Sequence, residues 1–214
     1  MYILNEFFSL MESGGPIMWV ILIVAILATG LLCWQSLYVN QLMSSAKRDY
    51  QQLIIDRSFV PIATNEYSCS PIAQLVDKVN WADVESKEDM IKEMNIHISD
   101  IVPKMKNGLS TIGILGSLLP MLGLLGTVTG MINVFEVIAI QGSGDADALA
   151  GGISQALLTT ASGLIIAIPV IFFHHLLANR IGALMDVTAQ AMQVVVHRDI
   201  LLYREAINHA DVNT

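Results

Sequence analysis

Residues 111–139 read TIGILGSLLPMLGLLGTVTGMINVFEVIA, and this stretch decides the fold. It holds no charge before Glu136 and exceeds the roughly 20 apolar residues that a helix needs to cross a bilayer. Gly113, Gly116, Gly123, Gly126, Thr127 and Gly130 recur through it at helical spacing. Small residues so placed let a second backbone approach closely, which is how membrane helices gain packing contacts.

The partner comes next in the chain. After a short hydrophilic link at 140–152, residues 153–177 read ISQALLTTASGLIIAIPVIFFHHLL, again without a charge. Their own small-residue ladder is Gly152, Ala156, Thr160, Gly163 and Ala167, so the two spans are expected to form an antiparallel pair. Upstream, residues 17–37 form a third charge-free run behind Pro16, a residue suited to the first turn of a helix. Residues 1–16 carry no Lys or Arg, so this run reads as a retained anchor rather than a cleaved leader. Before it, Ile3, Leu4, Phe7, Phe8 and Met11 share one helical face, which fits either an interfacial helix or a frayed end.

Composition agrees. Hydrophobic residues make up 54% and charged residues only 14% of the 214, against roughly 25% charged in an ordinary soluble domain. Mean hydropathy is +0.59. A soluble enzyme, a disordered tail and a secreted disulfide scaffold are excluded. A net charge of −8 argues against nucleic acid, whose phosphates recruit Lys and Arg.

All 11 Lys and Arg residues fall in 38–110 or 178–214. Basic residues near span ends are retained in the cytoplasm. The expected chain is therefore an all-α integral membrane protein with a periplasmic N-terminus (1–16), a first span (17–37) and a cytoplasmic helical domain (38–110). A second span (111–139), a periplasmic link (140–152), a third span (153–177) and a cytoplasmic helical tail (178–214) follow. Ile91, Met94, Ile98, Ile101 and Met105 recur at spacings of three and four, as do Ile181, Leu184, Thr188, Ala191 and Val195. Spans two and three should thus extend into the cytoplasmic domain and pack there, with Pro103 as a candidate kink.

Chemistry-bearing residues are sparse. Thr127 and Thr129 sit mid-span in the second helix, while Gln155, Thr159, Thr160 and Ser162 are read as one polar side of the third. One buried Thr usually satisfies itself on its own helix; several facing one way suggest a polar seam for water or a partner's ionisable group. Glu136 is the one acid within an apolar run, and burying its charge at mid-bilayer costs about 2.5 kcal/mol or more. Near the outer end of its helix it suits either an interfacial or an ion-path role. His174 and His175 are expected to reach the interface rather than share a metal. Asp145 and Asp147 lack the later ligands of a calcium loop. Cys33 and Cys69 lie on different segments, so no disulfide or cysteine metal site is expected. With no Walker lysine and no nucleophile–base set, no cofactor, metal or enzymatic activity is expected.

The pattern LLPMLGLLGTVTGMINVF at 118–135, followed by GGISQALLTTASGLIIAIPVIFFHHLL at 151–177, closely resembles the MotA/TolQ/ExbB proton-channel family, in particular its ExbB/TolQ branch. That resemblance implies a homopentamer surrounding the membrane helices of an ExbD/TolR-like dimer, whose aspartate carries protons. Proton flow would drive a TonB- or TolA-like protein that spans the periplasm. By motif position Thr127 and Thr160 match the threonines facing that aspartate. Many ExbB and TolQ sequences carry glutamate where this chain has Gln155, which cannot exchange a proton at cellular pH. A TonB-type role in uptake of iron complexes is the leading expectation. A TolQ-like role in envelope integrity, a motility stator and a non-conducting membrane scaffold remain as alternatives.

Overall fold

The computed structural model describes residues 2–56, 59–61, 70–79, 87–141 and 146–197. Cys69, Asp145 and the side chains of Ile3, Leu4 and Phe7 lie outside what is described. The described residues form five helices: α1 (Tyr2–Ile55), α2 (Pro71–Lys78), α3 (Lys87–Lys106), α4 (Leu109–Gln141) and α5 (Ala146–His197). Three stretches are long and apolar enough to cross a membrane: Phe8–Ile55, Glu88–Ile140 and Leu149–His197. The chain is an all-α membrane protein. Two compact units divide it, the first comprising Met1–Trp34 with Gly108–Leu176, the second Gln35–Asn107 with Leu177–Thr214.

In the first unit α1 is broken at Gly15, whose backbone has φ 70 and ψ −165, and Pro16 restarts the helix. Proline suits that place because its missing N–H would find no partner in a first turn. Met11, Met18, Ile21, Ala25 and Ala28 are buried along one face of α1. The opposite face leaves Ile23, Ile26, Leu27 and Trp34 exposed. On α4 and α5 the same contrast holds, with Ile112, Leu119, Ala156, Ala167 and Val170 inside and Met121, Leu124, Phe135, Ile165, Ile168 and Phe172 outside. Helices apolar all round belong in lipid or against other apolar helices.

The second unit is a helical bundle with an aliphatic and methionine core. Val39, Leu42, Ala46 and Leu53 of α1 are buried, as are Ile72, Leu75 and Val76 of α2. From α5, all five residues of the expected stripe, Ile181, Leu184, Thr188, Ala191 and Val195, are buried. The α3 stripe is shifted: Met90, Met94, Ile101 and Met105 are inside, whereas Ile91 is 43% exposed. Gln35 reaches across to donate from Nε2 to the Met105 carbonyl at 3.4 Å. The interruption between α3 and α4 falls at Gly108, with φ 81, and not at Pro103, which α3 accommodates within its last turn. A positive φ is open to glycine at little cost and strains any residue bearing a Cβ.

Ser70 organises the short α2. Its hydroxyl oxygen caps the helix by accepting from the Ala73 N–H at 3.2 Å, and its O–H donates to the Asp49 carboxylate on α1. Burial holds the Asp49 carboxyl above its ordinary value of 3.8, against the opposing effects of the Ser70 hydrogen bond and the Arg48 charge.

Candidate functional site

The glycine ladder of α4 meets the small-residue ladder of α5 at backbone contact. A methyl group on Gly163 would stand 2.7 Å from the Leu119 carbonyl oxygen, and one on Gly130 2.8 Å from the Ala156 Cβ. Gly123 faces the Thr160 backbone, with 3.1 Å from its Cβ position to the Thr160 Cα, and Gly126 lies directly over the Thr159 side chain. Gly116 opens room for Val170 and Ile171, while Gly152 does so for Val134. Ala156 and Ala167 are buried in the same contact. Each of these positions therefore sets how near the two helices come.

Across this seam Thr160 Oγ1 donates to the Gly123 carbonyl at 2.8 Å. Thr127, one turn beyond Gly123, lies about 40° around α4 from it at about 100° per residue. In the antiparallel register set by Gly123–Thr160 and Gly130–Ala156, that rotation carries Thr127 to the flank from which Thr160 reaches across. Thr127 donates to its own Leu124 carbonyl at 2.7 Å. Both side chains are half-buried, and both have their hydroxyl proton committed to a backbone carbonyl.

The other sequence-predicted residues are dispersed. Thr159 is wholly enclosed, its hydroxyl donating back to the Ala156 carbonyl at 2.9 Å. Gln155 and Ser162 are half-buried on the flank opposite Thr160, since Gln155 and Thr160 are about 140° apart on a helix. The side chain of Gln155 lies against Gly15 of α1. The single polar side expected of α5 is thus three separate surfaces, because adjacent Thr159 and Thr160 diverge by about 100° around the buried face. Thr129 donates within α4 to the Leu125 and Gly126 carbonyls. Glu136 is exposed near the far end of α4 and apart from the Thr127–Thr160 flank.

His174 has a role that composition did not reveal. Its Nε2 pairs with the Leu109 carbonyl at the start of α4, 3.1 Å away, in room left by Gly113. The signal was present in the glycine, which stands where the facing ladders place the histidine. His175 beside it is exposed. Among the described residues no three His, Cys, Asp or Glu side chains gather as metal ligands.

Three long apolar helices, two of them joined along a glycine-lined seam with a hydroxyl-bearing flank, define a multi-pass membrane protein with a polar strip inside an apolar wall. Residues 65–190 match the MotA/TolQ/ExbB proton channel family, and the chain belongs to that family, in its ExbB/TolQ branch. Over 106 residues it is 37% identical to the biopolymer transport protein ExbB of Salmonella typhimurium, covering 48% of this chain and 43% of that protein. It is 32% identical over 127 residues to ExbB of Pseudomonas putida, covering 56% and 38%. Similarity to the Tol-Pal system protein TolQ of Pseudomonas aeruginosa is 31% over 116 residues, covering 53% and 50%. The matches thus span half or less of each relative's length.

Proposed function

We propose that this chain is the stator-type proton-channel subunit of a motor in the bacterial inner membrane, and that it is not an enzyme. Copies of it, five by family resemblance, surround the membrane helices of an ExbD/TolR-like dimer, and the resulting motion is passed to a TonB- or TolA-like protein. The observation that carries this reading is the half-buried Thr127–Thr160 flank, where a hydroxyl from each of two long apolar helices lies on one side of the α4–α5 pair. A group moving along that flank meets two hydroxyl oxygens on helices that are otherwise largely apolar.

The test is proton flux in liposomes containing the co-purified complex. Thr127→Val and Thr160→Val, which keep side-chain volume and remove the hydroxyl, should assemble normally and lose most of the flux. Parental flux in both variants would sink the mechanism, and a complex that never conducts would favour the scaffold. Uptake and envelope roles are separated by which periplasm-spanning partner co-purifies. We place the work at TonB-dependent uptake of iron complexes or similar cargo. The TolQ-like role is the second reading, favoured by the match to half of the TolQ relative's length.

A further inference from the structure

A cavity of about 200 Å³ opens on the second unit between α2, α3 and α5. Leu75 from α2, Ile98, Ile101 and Met105 from α3 and Met185 from α5 give it aliphatic and thioether walls. Its size limits the guest. An apolar cavity of about 150 Å³ holds benzene, whereas drug-sized ligands occupy pockets of about 300 Å³ or more. One ring or a short hydrocarbon chain is what fits. The polar lining sets the other end of the guest. Thr188 and Asp186 are the two side chains around the cavity that carry oxygen. The Thr188 hydroxyl is buried and donates to the Leu184 carbonyl at 2.8 Å, so its proton is taken. The Asp186 carboxylate accepts and cannot donate. It is exposed and has no ion-pair partner among the described residues. On α5 these two flank the face formed by Met185 and Ala189, Thr188 on the buried side and Asp186 on the solvent side, about 160° apart. The lining side chains therefore offer a guest electron pairs and no proton, and their one charge is an anion at the mouth.

We propose that this cavity binds a small apolar amine, a primary ammonium carried on one ring or a short chain. The hydrocarbon lies against Ile101, Met105 and Met185, and the ammonium stays at the mouth and donates to Asp186. An anion of the same shape meets a like charge and finds no donor. A neutral hydrocarbon fills the walls and leaves Asp186 unpaired. A guest so placed touches α3 and α5 together and stabilises the folded unit by mass action.

Fluorine NMR of para-fluorobenzylamine added to the purified full-length protein in detergent, with para-fluorobenzoate and para-fluorotoluene as companions, tests this. The amine should show saturable line broadening and raise the unfolding midpoint as its concentration passes the Kd, and the companions should do neither in the same range. Asp186→Asn should weaken the amine by up to about fivefold, the scale of an exposed ion pair. Ala189→Phe, which sets a ring of the protein's own in the mouth, should remove saturable binding. Both positions are exposed, so the variants should keep the parent's midpoint when no amine is present. Equal binding of the amine and either companion would overturn the proposal. So would amine broadening that does not saturate or that survives Ala189→Phe unchanged, the mark of partition into detergent. The comparison of the amine with its companions uses the unaltered protein, so it decides the matter even where a variant fails to fold. None of these readouts uses proton flux, and they stand or fall apart from the channel reading.

Discussion

Thr160 has a packing role and a proposed role in proton flow, and the two separate by magnitude. Its hydrogen bond to the Gly123 carbonyl joins α4 to α5, and such a bond between membrane helices contributes about 0.6 kcal/mol on average. Thr160→Val should therefore shift the unfolding midpoint only slightly while proton flux falls steeply, and Thr160→Ser should restore much of the flux. A large loss of stability with flux per folded complex unchanged would assign the residue to packing alone. Gly163 is the converse case. With the Leu119 carbonyl 2.7 Å from its Cβ position, Gly163→Ala must push backbone against backbone, and overpacking of this kind costs about 1–3 kcal/mol. Gly30→Ala, with nothing within 4 Å, should leave the midpoint where it is. Residue types along the seam were legible in the sequence, since a run of glycines and threonines at helical spacing announces close packing. Which hydroxyl faces outward was not, because that depends on the rotation of α5 against its neighbour.

Among the elements, the 181–195 stripe of α5 could be read residue for residue, since a regular three–four spacing has a single buried face. The stripe of α3 was displaced by one position at its start, with Met90 inside and Ile91 outside. Both side chains are apolar, so hydropathy alone could not choose between them. The short α2 depends on a contact that no local pattern announced, the Ser70 bridge to Asp49. Ser70→Ala removes the cap and should cost about 1 kcal/mol. Asp49 gives a pH test. Its carboxyl is raised by burial in the folded protein, so the folded state holds the proton more tightly than the unfolded chain. Stability from this group is then fullest below the ordinary value of 3.8, declines as pH rises through the raised value and is level above it. Asp49→Asn should remove that decline and be no less stable than the parent at pH 7. Comparing parent and variant midpoints between pH 3.5 and 7 decides the matter, and a parental slope of the opposite sign would contradict it.

For the molecule as a whole, the distribution of charge sets the expected direction of insertion. A single cysteine at Glu12 should react with an impermeant thiol reagent in cells with a permeable outer membrane, and one at Lys92 only after lysis, both in a background lacking Cys33 and Cys69. The reverse pattern would invert the topology. The exposed aromatic and aliphatic residues of α1, α4 and α5 give the chain an apolar coat that suits lipid or other apolar helices. Under the proposed function, what passes the Thr127–Thr160 strip is decided by a smaller matter. Both Thr127 and Thr160 have already given their hydroxyl protons to carbonyls, so the oxygens they turn outward present electron pairs and nothing to share. A strip of that kind distinguishes visitors by their proton count. In the proposed channel it would accept an acid while the acid still carries its hydrogen and offer no hold once the hydrogen has gone, so a carboxyl group would rest there loaded and lose its place when emptied.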